Sequence, residues 1–142
     1  MRVISLTLTL CVIALGVVGC GKSAPPPAAN EQSETLKAMQ AQLGMPIYPG
    51  ADLDGDLATG TNDLGGEVMM VSFVTEDGLD EVAAFYRKNL TGYKARAEKK
   101  IGQSRVAGFT RAAGKESSLI VIEQPAQGPT KIAVTVTKAA VK

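Results

Sequence analysis

Hydrophobic and polar positions alternate most cleanly near the end of the chain. There Ile132, Val134 and Val136 fall on one side of an extended segment and Lys131, Ala133, Thr135 and Thr137 on the other. Three more segments read as strands, Tyr93 to Lys99, Arg105 to Ala112 and Ser118 to Gln124, with turns supplied by Gly102-Gln103, Gly114-Lys115 and Gly128-Pro129. The run Glu67 to Val74 is too apolar for a strand with one wet face, which predicts a central strand covered on at least one side. Helical spacing appears in Leu79, Val82, Ala83, Tyr86 and Leu90, with Asp77 placed to cap the start and Thr91-Gly92 to stop the end. Leu36, Met39 and Leu43 carry the same period over 34 to 43, ended by Gly44. Between them, Pro46, Pro49 and a stretch rich in Gly, Asp, Asn and Thr predict turns around at most one short strand. Short turns between successive strands favour antiparallel pairing. The expected fold is therefore α+β: an antiparallel sheet of about five strands, one main helix over about 78 to 90 packed on one face, and a short leading helix. Residues 34 to 142 form a single domain of ordinary size.

The chain opens differently. Val3 to Gly19 holds no charged residue, follows the lone positive side chain of Arg2, and ends in Val17-Val18-Gly19-Cys20. An uncharged run after a positive residue, with small residues at its end, is what a secretory signal requires. Its 17 residues lie at the short limit of the roughly 17 to 25 needed for a helix to cross a bilayer, and no basic cluster follows to stop transfer. Residues 21 to 33, with Pro25-Pro26-Pro27 and polar neighbours, cannot build a core and predict an extended tether, ~3.1 Å per residue, that reaches roughly 40 Å.

The Val-Val-Gly-Cys junction resembles the lipobox of bacterial lipoproteins. The resemblance implies that residues 1 to 19 are removed as a signal peptide, and that Cys20 receives a diacylglyceryl group and usually an amino-terminal acyl chain such as palmitate. A single buried chain binds a bilayer marginally, whereas two or three anchor durably. Gly21 stands where lipoproteins retained in the inner membrane of enteric-type bacteria carry aspartate, which points to the outer membrane in a Gram-negative cell, with the domain on the periplasmic face. On this expectation Cys11 is lost with the signal and Cys20 is acylated, so the mature domain keeps neither a thiol nor a disulfide.

Composition then narrows the chemistry. The chain has no histidine and no tryptophan. Without histidine or a free thiol, serine–histidine, cysteine–histidine and histidine- or cysteine-ligated zinc mechanisms have no residues to run on. Charge is segregated along the chain. From Glu31 to Glu81 eleven acidic residues face only Lys37, a balance of −10; from Val82 to Lys142 twelve basic residues face three acidic ones, a balance of +9. Lys94, Arg96, Lys99, Lys100, Arg105 and Arg111 are the candidate basic contact face, suited to an anionic lipid, a glycan phosphate or an acidic protein. The competing expectation is that acidic and basic halves pair across strands of one sheet. Sparse aromatics and near-zero total charge argue against nucleic acid.

A second resemblance spans residues 45 to 138. Pro46-Ile47-Tyr48-Pro49-Gly50-Ala51, the strand ending Val74-Thr75 before Glu76-Asp77, and the helix segment Phe85-Tyr86 before Leu90 resemble small exported bacterial proteins of unknown function. That likeness implies a fold and no activity. One further cluster, Asp52, Asp54, Asp56 and Asp63, spaces carboxylates as a calcium loop does, although Leu57 stands where such a loop needs glycine and Asp63 replaces its glutamate. The sequence thus describes a lipid-anchored cell-envelope protein acting as a non-catalytic binding or scaffold domain, with no cofactor beyond the covalent lipid and with an envelope protein, glycan or lipid as partner. The alternative is a minor carboxylate-dependent enzyme or calcium module built on the Asp52 to Asp56 loop.

Overall fold

The computed structural model describes residues 29–140, so the Val17-Val18-Gly19-Cys20 junction expected to be a lipobox, and the first part of the expected tether, lie outside the described residues. Two helices and seven strands follow in the order α1 (Ala29–Leu43), β1 (Asp52–Leu53), β2 (Ala58–Thr61), β3 (Glu67–Thr75), α2 (Leu79–Asn89), β4 (Lys94–Ile101), β5 (Ser104–Ala113), β6 (Glu116–Gln124) and β7 (Thr130–Lys138). The α+β class and the antiparallel sheet match the sequence pattern, but the strand count is seven rather than five. The additional strands are β1 and β2. Both pair with the edge of β3 that faces away from β7, β1 beside Phe73 and Val74 and β2 beside Glu67 to Met70. Two- and four-residue strands inside a turn-rich stretch carry no period long enough to read.

The sheet order is β1-β3-β7-β6-β5-β4, with β2 also on β3, and every pairing is antiparallel. From β4 to β7 the chain meanders through consecutive hairpins; β3 joins at the far side, paired to β7 over nine residue pairs. Gly66 immediately precedes β3 at a point where a Cβ would overlap the carbonyl of Lys138, so only glycine lets the chain approach β7 that closely there.

One parity of each long strand is buried. Phe73, Ile132, Ile122 and Ala107 form one row across the sheet, and Val71, Val134, Ile120 and Phe109 the next. These side chains belong to the same buried cluster as Leu43 and Met45 and as Leu79, Val82, Ala83 and Tyr86 of α2. A chain of ring contacts runs through it. Tyr48 meets Phe85 edge-on at 5.3 Å, Phe85 meets Tyr86 at 5.3 Å, and Tyr86 lies 6.0 Å from Phe109 of β5.

Two expected boundaries shift. α1 begins at Ala29, so it takes in positions 29 to 33 that composition assigned to the tether. A polar first turn has no apolar period to announce it, although alanine, glutamate and glutamine are good helix formers. The cap of α2 is Gly78 in extended conformation, not Asp77, and no side chain caps it. Gly78 O instead accepts from the amides of Glu81 and Val82 at 3.1 and 3.2 Å. Asp80 and Glu81 in the first turn and Arg87 and Lys88 in the last complement the helix dipole. No helix among the described residues is long and apolar enough to cross a membrane.

Phe73 is fully buried in the centre of the first row. Phe73→Ala is expected to cost about 3 to 5 kcal/mol, the usual penalty for emptying a packed aromatic site, measured as a lowered urea midpoint with an unchanged slope.

Candidate functional site

The opposite parity of the sheet stays open. Met70 retains 53% exposure, Ala133 of β7 is exposed, and Leu119 and Val121 of β6, Val106 and Thr110 of β5 and Thr135 and Thr137 of β7 are half-buried. These residues also align in rows: Thr110, Leu119, Thr135 and Met70 in one, Ala112, Ser117, Thr137 and Val68 in the next. A buried core requires hydrophobic residues on one parity only, so this second, mixed set of aliphatics and hydroxyls is free to serve another purpose.

Strand β4 brings the cations to this face. It is the free edge of the sheet, and all eight of its residues are exposed. Lys94 pairs with Thr110 and Arg96 with Gly108, both on the open parity. Between Arg96 and Lys99 the register slips by one residue, so Lys99 pairs with Val106 and joins the same face. A bulge inserts one residue into one strand of a pair and re-aims the side chains beyond it. Without it, Lys99 would fall on the parity opposite to Lys94 and Arg96. Arg96 lies over Gly108, whose missing side chain leaves room for the aliphatic part of the arginine. Among the described residues, no carboxylate stands within ion-pair distance of Lys94, Arg96 or Lys99.

The other candidate cations go elsewhere. Arg105 lies on the buried parity, where its guanidinium holds both oxygens of Asp80 at 2.9 and 3.1 Å and Glu98 Oε1 at 2.7 Å. It ties the first turn of α2 to β4 and β5. Hydrogen bonding from Arg105 lowers the pKa of Asp80 below its ordinary 3.8, and the two carboxylates raise that of Arg105. Lys100 pairs with Arg105 in the ladder and therefore shares its parity. Arg111 is ion-paired to Glu116 and stands 5.3 Å over the ring of Tyr93. Of the six candidate cations the ladder thus places Lys94, Arg96 and Lys99 on the open parity and Lys100, Arg105 and Arg111 on the other, although Arg111 also lines the groove beside Lys94, and the reason is strand alternation interrupted by the bulge. Asp80 to Arg105 and Glu67 to Lys138 at 3.9 Å join the acidic and basic halves, so the expected pairing of the halves consumes part of the segregated charge and leaves the edge of β4 unmatched.

The acidic residues do not converge. Asp52 pairs beside Val74 at one end of β3, while Asp63 follows Thr61, which pairs beside Glu67 at the other. Seven residues of strand separate those positions, roughly 24 Å at ~3.4 Å each, whereas calcium oxygens lie about 2.3 to 2.6 Å from one ion. Asp52, Asp54, Asp56 and Asp63 are all exposed, and no metal-capable group of three such side chains occurs among the described residues. Asn62 organises the turn around Asp63: its Oδ1 accepts from the amides of Leu64 at 3.0 Å and Gly66 at 2.8 Å.

Tyr48 of the Pro-x-Tyr-Pro-Gly-Ala segment has a definite structural task. Its hydroxyl donates to Asp77 Oδ2 at 2.8 Å while its ring meets Phe85, which pins the loop to the entrance of α2. The bond to the carboxylate, helped by desolvation, pushes the phenol up to about 12 from 10.0. Asp77 is thereby committed to Tyr48, while its amide donates to Thr75 Oγ1 at 3.3 Å.

No known protein family model matches the chain, and no curated protein or solved structure matches it either.

Two outcomes follow from the geometry. The Asp80 to Arg105 contact stabilises fully above the ordinary carboxylate pKa of 3.8 and is lost as pH falls below it; Arg105→Gln should lower the thermal midpoint at pH 7 and flatten its decline in acid. The Tyr48 bond is complete below pH 10 and lost as pH rises to about 12. Tyr48→Phe should cost up to about 1 kcal/mol at pH 7 and remove that alkaline component from a series of urea midpoints taken between these two pH values.

Proposed function

We propose that this chain is a lipid-anchored cell-envelope protein whose folded part is a non-catalytic binding or scaffold domain, with the open parity of the sheet as its contact surface. The observation that supports this reading is the gathering of Lys94, Arg96 and Lys99, all without an acidic partner among the described residues, beside an open field of hydroxyl and aliphatic side chains. α2 is read as the cover of the buried parity, which leaves the other parity for a partner; the Tyr86 to Phe109 ring contact favours that placement. The absence of histidine and the dispersal of the acidic loop fit contact rather than catalysis. Acylation at Cys20 supplies the anchor, on the evidence of the Val17-Val18-Gly19-Cys20 junction.

The anchor and the surface are separable by experiment. In a bacterial host fed labelled palmitate, the natural chain should take up label and fractionate with membranes, whereas Cys20→Ser should take up none. Crosslinking in intact envelopes should give discrete adducts that the triple change Lys94→Glu, Arg96→Glu, Lys99→Glu removes without altering the circular dichroism spectrum. An unlabelled natural chain would sink the anchor, and adducts indifferent to the charge reversal would sink the surface.

A further inference from the structure

The open face is not uniform. Its larger groove, about 520 Å³, lies between β4 and β7 and is lined by Lys94, Arg96, Thr110, Ser117, Thr135 and Thr137 among others. A smaller trough of about 200 Å³ continues from it along Lys99, Ile101, Val106, Gly108 and Val121, and Arg96 and Leu119 line both. Lys94, Arg96 and hydroxyls line the larger groove, and the trough is mostly aliphatic, with Lys99 beside Val106 at its rim. The main-chain groups of β5, β6 and β7 are already spent on ladder pairing, so recognition here falls to side chains. No aromatic ring stands on this parity for a sugar to stack against. Glu123 and Lys131 face each other beyond Val106, so the acidic side chain nearest the trough stands opposite a cation.

We infer that this face binds a single-chain anionic lipid, with its headgroup on Lys94 and Arg96 and its hydrocarbon along the Leu119, Val121 and Val106 trough. This rests on the reading of the open parity as the contact surface. Charge complementarity selects the headgroup, since three cations without an ion-pair partner gather at the β4 edge of the face, while Asp52 of the open parity stands at the far edge beside Val74. Size selects a single chain, because the trough is only about 200 Å³ and adjoins the larger groove through Arg96 and Leu119. Gly108 is decisive for that size. A Cβ there would stand 3.4 Å from Ile120 O and 3.7 Å from Arg96 Cδ, so a larger side chain fits the strand yet raises the floor.

The test uses the complete mature lipoprotein in phosphatidylcholine vesicles, irradiated with a diazirine-bearing palmitate and then mapped by peptide mass spectrometry. Adducts should concentrate on β5 and β6 between Val106 and Val121, and the diazirine-bearing hexadecanol should label them far less. Lys94→Glu with Arg96→Glu should reduce labelling roughly tenfold, as expected for the loss of charge-assisted contacts. Gly108→Val should reduce it while leaving charge unchanged, with circular dichroism confirming that both variants are folded. Labelling scattered over both parities, equal labelling by the alcohol, or indifference to the charge reversal would overturn the assignment. If palmitate fails in these ways while the envelope crosslinks still depend on the three cations, the lipid is wrong and the contact surface stands. If the crosslinks are also indifferent, the surface itself is wrong.

Discussion

The pairing of β3 with β7 is the constraint on which the rest depends. Nine residue pairs join a strand from the acidic half of the chain to the last strand of the basic half. The contact must be made across the whole intervening meander, so its loop-closure cost is met only when the rows through Phe73 and Ile132 are buried together. Once it forms, one parity of the sheet is dry and the other is fixed as open. A slip of one residue would exchange the two. Ring contacts running from Tyr48 through Phe85 and Tyr86 to Phe109 then link the loop before β1 and the helix after β3 to β5.

Much of this was legible in the sequence, and for a physical reason. The four hairpin-linked strands and α2 are long enough for their periods to repeat, so their existence and parity could be read from Ile132, Val134 and Val136 or from Leu79, Val82 and Tyr86 alone. β1 and β2 are too short for a period. Asp77 was read as a cap because its residue type suits that task, yet Tyr48, distant in sequence, claims its carboxylate. Gly78 caps by backbone alone.

The candidate site was legible in composition and illegible in arrangement. Arg105 and Arg111 share a parity with Ala107 and Phe109, so simple alternation along β5 already separates them from Thr110. Lys99 is different. Its face depends on a bulge between Arg96 and Lys99 that no residue type announces, and the same bulge lies where Glu98 meets Arg105. The acidic cluster failed as a unit because local spacing counts residues, whereas a metal counts distances through space.

The bulge makes the face of β4 a matter of arithmetic as much as chemistry. Removing Ala97 or Glu98 would leave one residue on each strand between the flanking pairs, so Lys99 would still face Val106 and the three cations would stay together, whereas removing Ala95 would put Lys94 and Arg96 on opposite parities. The effect of a change in length thus depends on where along β4 it falls. In chains descended from this one, a gap at the bulge would leave the cationic face intact, while a gap outside it would carry more information about the partner than several substitutions. The same irregularity also spoils the free edge as a template for another strand, so the device that sorts the cations doubles as a guard against edge-to-edge association.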